Sequence, residues 1–285
     1  MVTECEGRTF VLEPSWSNLL DKYHVRMFRL DGKTVAVIGA GSGIGQAVAL
    51  GVAQQGGHTI CLDIHADNAA ATAETITRAG GSADAGGVDI ADETSVRDAL
   101  ANGLRDRTGL DGLVCTPAIN VRKSILNYTG DEFDRVVRVN LRGNFNVLQA
   151  AGRLMVPRQS GSIVLFSSIR SLVTEPGQSV YSMTKAGIVQ LVRTAATEWG
   201  DQGVRVNAVG PGVTETPLTA PIKAQPDWYQ AYADKTPMKR WAKAEEMAGP
   251  TVFLLSDAAS YVTGTILFVD GGWLANDGRF TPPGM

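Results

Sequence analysis

The 285-residue chain is poor in the side chains from which metal centres and disulfide frameworks are built. Its three cysteines, Cys5, Cys61 and Cys115, are odd in number, far apart and without metal-ligand spacing, so they read as reduced thiols packed as small apolar groups. His24, His58 and His65 are equally scattered, and a metal site is not expected. An excess of positive charge is also missing. The formal net charge is −3 and no long basic run occurs, which argues against nucleic acid as a partner. Apolar runs stop at strand length, as in Gly161–Phe166, so a membrane span is not expected either. The chain opens Met1-Val2-Thr3-Glu4-Cys5-Glu6, with neither a basic nor an apolar signal region, and the expected location is cytoplasmic.

What is present is an alternation. Apolar, β-branched runs at residues 34–39, 58–63, 83–88, 112–116, 162–166, 205–209 and 265–269 read as strands. Segments with helical periodicity lie between them, at 44–55, 69–79, 93–107, 131–156, 180–200 and 244–255. Asp92-Glu93 reads as a helix start and Gly80-Gly81 as a stop. No repeat or low-complexity linker divides the pattern. It predicts one α/β domain, a Rossmann-type doubly wound parallel seven-stranded sheet with helices on both faces.

Around that core, over 31–273, the expected appendages are an N-terminal extension over 1–30 and a C-terminal tail over 274–285. The extension carries Trp16, Tyr23 and Phe28, and is either an arm packed on a neighbouring subunit or a loosely ordered segment. Residues 214–241 interrupt the alternation with four prolines and with Trp228, Tyr229 and Tyr232. An insertion of that length in a compact domain is usually functional.

Two motifs carry chemistry. Gly39-Ala40-Gly41-Ser42-Gly43-Ile44-Gly45 follows the first core strand and opens a helix. Glycines there permit a tight turn and let a pyrophosphate reach helix-terminal N–H groups, where the dipole favours anions. Asp63 ends the second core strand, 18 residues after Gly45. A carboxylate there accepts hydrogen bonds from ribose hydroxyls and repels a 2′-phosphate, which favours NAD over NADP. Ser42 stands where a 2′-phosphate binder would want a cation, and His65 is the one cationic candidate nearby. The second motif is Tyr181-Ser182-Met183-Thr184-Lys185, 13 residues after Ser168 and 41 after Asn140. A phenol and an ammonium four positions apart share a helix face. The cation is expected to favour the phenolate, drawing a pKa near ~10 toward the working range of an acid–base catalyst.

With these residues in place, the chain resembles the short-chain dehydrogenases/reductases over residues 29–273. The resemblance rests on Gly39, Gly43 and Gly45, on Asp89 in Val88-Asp89-Ile90, on Asn140, Ser168, Tyr181 and Lys185, and on Pro211-Gly212 and Asp270-Gly271-Gly272. It implies that Tyr181 exchanges a proton with the substrate oxygen and Ser168 hydrogen-bonds that oxygen. Lys185 would hold the nicotinamide ribose and lower the phenol pKa, and Asn140 would position a water in a proton relay. Asp89 and Ile90 would contact adenine, while Val213 and Thr216 would fix the carboxamide. The chain departs from the family at Cys115-Thr116-Pro117-Ala118, where Asn-Asn-Ala-Gly is usual, and at Ile38, where threonine is common. Pro117 has no N–H to donate, so this loop must be held differently.

The resemblance places the pocket mouth at three loops. They contribute Asn120, Arg122 and Lys123, then Arg170 and Gln178, then the aromatics of the insertion. Arg170 either engages a carboxylate or hydroxyls, or points outward as a solvated or interface charge. Trp228, Tyr229 and Trp241 either close over a substrate or pack the insertion. The expected function is NAD-linked interconversion of a secondary alcohol and a ketone on a polyol, sugar or hydroxy acid. The alternative is a 3-oxoacyl-thioester (acyl-carrier-protein) reductase, against which Asp63 weighs; a non-catalytic nucleotide-sensing regulator is the remote one. By resemblance, the long helices over 131–156 and 180–200 pair across a dimer interface, with tetramers common.

Overall fold

A computed structural model describes residues 2–5, 8–11 and 27–276. Strands β1 (Val2–Cys5) and β2 (Arg8–Val11) pair as an antiparallel hairpin, which the sequence pattern does not signal. Trp16, Tyr23 and His24 of the expected arm, and most of the expected tail, lie outside the described residues.

The main sheet contains β3 (Thr34–Ile38), β4 (His58–Asp63), β5 (Ser82–Gly87), β6 (Gly112–Cys115), β7 (Gly161–Phe166), β8 (Val204–Pro211) and β9 (Ile266–Val269). All neighbours are parallel, in the order β5-β4-β3-β6-β7-β8-β9. The seven strands start or end within two residues of the positions the apolar runs predict. The helices are α1 (Gly43–Gln54), α2 (Ala66–Arg78), α3 (Glu93–Gly103), α4 (Gly130–Val137), α5 (Asn144–Met155), α6 (Ser179–Trp199), α7 (Ala220–Lys223), α8 (Pro226–Lys235) and α9 (Ala248–Leu255).

Period-two alternation divides the sheet's side chains between two apolar layers. Val35 and Val37 of β3 face the layer of α1, α2 and α9, with Val48, Ile76 and Leu254. Ala36 and Ile38 face the layer of α3, α5 and α6, with Leu100, Val147 and Val192. Each fully buried Val, Leu or Ile contributes about 1.5–3 kcal/mol. The central strands, covered on both faces, are largely apolar, while the edge strand β5 (Ser82–Gly87) is mostly exposed; the loops at the central strand ends rest on a stiff platform.

Three helices depart from expectation, and the one expected over 93–107 already ends at Gly103. The helix expected over 131–156 is interrupted by a π-helical segment, Arg138–Gly143. There the Asn144 side chain donates to the Asn140 carbonyl (2.8 Å), an insertion into the backbone ladder of the kind that widens a helix. The helix expected from 244 begins as a 3₁₀ turn, Ala244–Met247, because Pro250 has no N–H for a bond back to residue 246.

In this order the chain leaves β3 and β6 in opposite directions, opening a crevice beyond their C-terminal ends. Every strand end that carries a motif residue, from Gly39 to Gly212, meets there.

Candidate active site

A cleft of about 540 Å³ occupies this crevice, floored by the glycine turn and reaching Tyr181 and Lys185. Gly39 has φ +87°, a conformation that favours glycine. At Gly45 a Cβ would stand 2.0 Å from the Gly39 carbonyl oxygen, so the helix can approach the turn only without a side chain. Ser42, at the start of α1, makes no capping bond with its side chain. The first-turn N–H groups are therefore free to face an anion. The Asp63 carboxylate lines the cleft and shapes its rim, accepting from the Gly41 N–H (2.9 Å) and the His65 N–H (3.0 Å). Each oxygen keeps a lone pair for a ribose hydroxyl. Ser42, Gly43, Ile44, Asp89, Ile90, Pro211, Gly212 and Thr216 line the same cleft. These features fit a dinucleotide.

The loop after β6 is held in a way the proline requires. Thr116 donates both its N–H (3.1 Å) and its hydroxyl (3.0 Å) to the Ile38 carbonyl. Three residues on, Ile119 exchanges two bonds of 2.8 Å with the Asn140 side chain. Asn140 is wholly buried in the π segment and its amide also reaches the Thr184 hydroxyl (3.3 Å). Its side chain ties a loop, and it does not line the cleft.

Ser168 follows β7, while Tyr181 and Lys185 project from the first turns of α6 into the same region. The Lys185 Nζ lies 5.6 Å from the centre of the Tyr181 ring and donates to the Phe166 carbonyl at 2.7 Å. The expected electrostatic effect of this pair is not what dominates. Burial pushes the Tyr181 phenol above its ordinary pKa, opposed by a hydrogen bond with Ser168 and by the charges of Arg170 and Arg122. Burial also lowers Lys185 from 10.5 to about 8, because the ammonium has lost water and gained only a carbonyl.

A testable consequence follows for Lys185. In the unfolded chain the lysine keeps its proton to about pH 10.4, and in the folded protein to about 8. Between these values the unfolded state binds more protons, so folding stability contributed by this group rises with pH. Below pH 8 the full penalty of the buried charge is present. Relative to Lys185→Met, the wild type should gain up to roughly 1.4 kcal/mol per pH unit between pH 8 and 10 in denaturant titrations. A constant difference across that range would contradict the buried, destabilised ammonium.

Beyond Tyr181 lies a second chamber of about 260 Å³, lined by Asn120, Arg122, Arg170, Gln178, Trp228 and Tyr232 among others. Ser168, Tyr181 and Gly212 line both chambers. Arg170 is buried, 7% exposed, and forms part of the wall between this chamber and a neighbouring cavity, lining both. Behind the wall stands Glu175, bonded by Arg170 (2.6 Å), Arg122 (2.8 Å), Gln178 and Tyr232. Burial raises its pKa, but these four donors outweigh that and hold the carboxyl below its usual range. The insertion supplies the outer wall. Tyr229 stacks on Trp241 at 4.9 Å and Trp241 donates to the Tyr229 carbonyl, so both pack the insertion; Trp241 and Trp228 line the chamber, Trp228 under the Arg122 guanidinium (5.0 Å).

A family profile described as enoyl-(acyl carrier protein) reductase matches residues 39–274. The chain belongs to the short-chain dehydrogenase/reductase family. It is 35% identical over 246 residues to a 3-oxoacyl-[acyl-carrier-protein] reductase of Thermotoga maritima, covering 86% of this chain and 98% of the relative. It is 37% identical over 249 residues to an L-rhamnose 1-dehydrogenase (NAD(P)(+)) of a Sphingomonas species, covering 87% and 98%. Among solved structures, a gluconate 5-dehydrogenase from Burkholderia cenocepacia, in complex with NADP and tartrate, aligns with a TM-score of 0.85 at 32% identity. That alignment covers 88% of this chain and 98% of the other.

Within this short-chain dehydrogenase/reductase, most residues singled out by sequence line one of the two chambers. Asn140 is one exception; Val213, expected beside the carboxamide, lines the outer chamber, and Thr214 lines the cleft instead. Lys123 is another exception, paired with Glu132 at 2.7 Å. The sequence pattern does not signal Glu175 or Thr219, the latter lining both chambers, and it marks Thr116 only as part of the departing loop. Glu175 lies in a loop of no motif, and only its spacing from Arg170 could have drawn notice. Among the described residues no cluster of His, Cys, Asp and Glu is placed to hold a metal ion, and no helix is long and apolar enough to cross a membrane.

Proposed function

We propose that the protein is an NAD(H)-dependent oxidoreductase interconverting a secondary alcohol and a ketone on a polyol, sugar or hydroxy acid. One observation carries this reading. Tyr181 and Ser168 line both chambers, so the phenol stands where a nucleotide cleft meets a polar substrate chamber. A nicotinamide nucleotide, when bound, supplies hydride chemistry. The chain's residues then hold the reactants and manage one proton. Tyr181 gives or takes the proton of the substrate oxygen, and Ser168 hydrogen-bonds that oxygen. Lys185 holds the nicotinamide ribose, while Asn140 fixes the loop over the cleft. The first turn of α1 receives the pyrophosphate, Asp63 the adenosine ribose, Asp89 and Ile90 the adenine, and Pro211, Gly212 and Thr216 the nicotinamide end. The chamber beyond suits a hydroxyl-rich molecule: the Asn120 Oδ1 is buried there without a partner among the described residues.

Asp63 supports NAD, since Lys185, at the other end, is the one cation among the residues lining the cleft. A 2′-phosphate beside Asp63 would meet a carboxylate and no counter-charge. Asp63→Ala should narrow the preference for NAD over NADP by about tenfold or more in kcat/KM, the worth of one charge-assisted bond. The test of the function itself is NADH absorbance with NAD or NADP and a panel of polyols, sugars and hydroxy acids. A second reading, 3-oxoacyl-thioester reduction, draws support from the similarity to the Thermotoga reductase. Faster NADPH-dependent reduction of a short 3-oxoacyl thioester than of any other substrate would replace the first reading with it.

The proposed catalytic unit is residues 31–273, acting in the cytoplasm as a homodimer or homotetramer. Phe133 of α4, Phe145 of α5 and Met183 of α6 stand exposed on the helices expected at the interface. A monomer mass by light scattering would contradict the assembly.

A further inference from the structure

The outer chamber has an unbalanced charge. Two arginines, Arg122 and Arg170, line it, and among the described residues no aspartate or glutamate does. Glu175, the acid that binds both, lines a different cavity of about 780 Å³, on the other side of the Arg170 and Tyr232 side chains. Two cations and one anion leave the group with a net charge of +1, presented toward the chamber.

The two arginines are also held in place. Among the described residues, each guanidinium has one acidic partner and reaches it through one nitrogen: Arg122 to Glu175 Oε1, Arg170 to Glu175 Oε2. A guanidinium carries five N–H donors in a fixed plane, so most of each fork stays available. Aromatic rings set those planes, Trp228 at 5.0 Å from the Arg122 carbon and Trp273 at 5.5 Å from that of Arg170. Gln178 and Tyr232, which line the chamber too, donate to the same Glu175 oxygen as Arg122. One carboxylate therefore orients four side chains that face the chamber, without facing it itself. Such a wall binds an anion without first having to order flexible cations.

We infer that Arg122 and Arg170 form a carboxylate subsite, oriented by Glu175, and that the enzyme selects alcohols bearing a carboxylate remote from the reacting carbon. This rests on the reading of the two chambers as those of an alcohol–ketone oxidoreductase. A carboxylate, planar and two-oxygened, matches a pair of guanidinium edges. A chamber of about 260 Å³ leaves room for it only beside a short, hydroxylated chain. Arg122 and Arg170 are specificity residues in this account, and Glu175 is a positioning residue.

The experiment compares a set of six-carbon aldonates with the hexitols of matching configuration, using the full chain and NAD or NADP. The wild type should favour an aldonate over its hexitol by about 10- to 100-fold in kcat/KM, the range of one or two charge-assisted bonds. Arg170→Gln and Arg122→Gln should each lower that ratio by about tenfold or more with NADH binding near wild type, because any change at Tyr181 is shared by both substrates while only the aldonate loses a carboxylate partner. Glu175→Gln should behave differently. It raises the local charge while freeing the arginines, so aldonate binding by calorimetry stays equal or tightens while kcat falls. Parallel loss of both would show Glu175 to be merely structural.

A wild-type ratio near one, a ratio untouched by the arginine changes, or a preference for hexitol phosphates overturns the subsite and leaves the alcohol oxidoreductase standing. If no compound turns over with either nucleotide, the functional reading fails instead. Calorimetry of aldonates with the NADH-loaded protein then still decides the subsite: binding lost in both arginine variants upholds it, and binding absent or unchanged by them rejects it.

Discussion

Replacing Tyr181 with phenylalanine should lower kcat by roughly 10²–10⁴-fold, the usual contribution of a positioned acid–base group. The change removes one oxygen from a side chain that lines both chambers and keeps the ring. NADH binding, followed by fluorescence, and thermal stability should therefore stay near wild type. The pH profile adds a second readout. Because burial raises the phenol's pKa, Tyr181 is protonated at neutral pH, ready to donate to a ketone's oxygen. Alcohol oxidation needs the phenolate, so its rate should climb on the alkaline side, and that limb should vanish in Tyr181→Phe. A variant within about threefold of the wild-type kcat would remove the phenol from the mechanism.

Gly45→Ala is the largest expected effect on the fold. A methyl group there would lie 2.0 Å from the Gly39 carbonyl oxygen and 2.7 Å from the Thr116 hydroxyl. Neither can retreat easily. Gly39 anchors the turn through its N–H to the Leu62 carbonyl (2.8 Å), and the Thr116 hydroxyl is bonded to the Ile38 carbonyl. Displacing α1 from β3 is the remaining escape, which opens the pyrophosphate cradle. The variant should lose about 3 kcal/mol or more in denaturant unfolding and bind no NADH in calorimetry. Gly249→Ala is the control. It lies in α9 with nothing within 4 Å of the added Cβ, so it should gain up to about 1 kcal/mol from helix propensity alone. Equal stability of the two variants would mean that the turn is looser than its geometry indicates.

Much of this was open to inspection in the chain itself. A buried parallel strand must be apolar on both faces, so central strands such as Thr34–Ile38 and Gly161–Phe166 announce themselves as apolar, β-branched runs. A phosphate cradle demands glycine at fixed offsets, and Tyr181 and Lys185 must be four apart to share a face of α6. Local backbone geometry imposes these patterns on neighbouring residues, which is why linear order reveals them. The π segment is different. Nothing in Arg138-Val139-Asn140-Leu141-Arg142-Gly143 departs from helical periodicity, and the widening depends on where Asn144 and Ile119 find partners.

Order along the chain determined the family, the sheet and the nucleotide turn, and singled out Tyr181 as the proposed proton-transfer group, because each obeys a short-range steric or spacing rule. Folding alone decided how charge is distributed. It made burial, rather than the neighbouring ammonium, the main influence on Tyr181. It also gathered Arg122, Arg170, Gln178 and Tyr232 around Glu175, up to 57 residues distant. Electrostatic energies depend on distance through space and on lost water, and neither quantity is written in the spacing of letters.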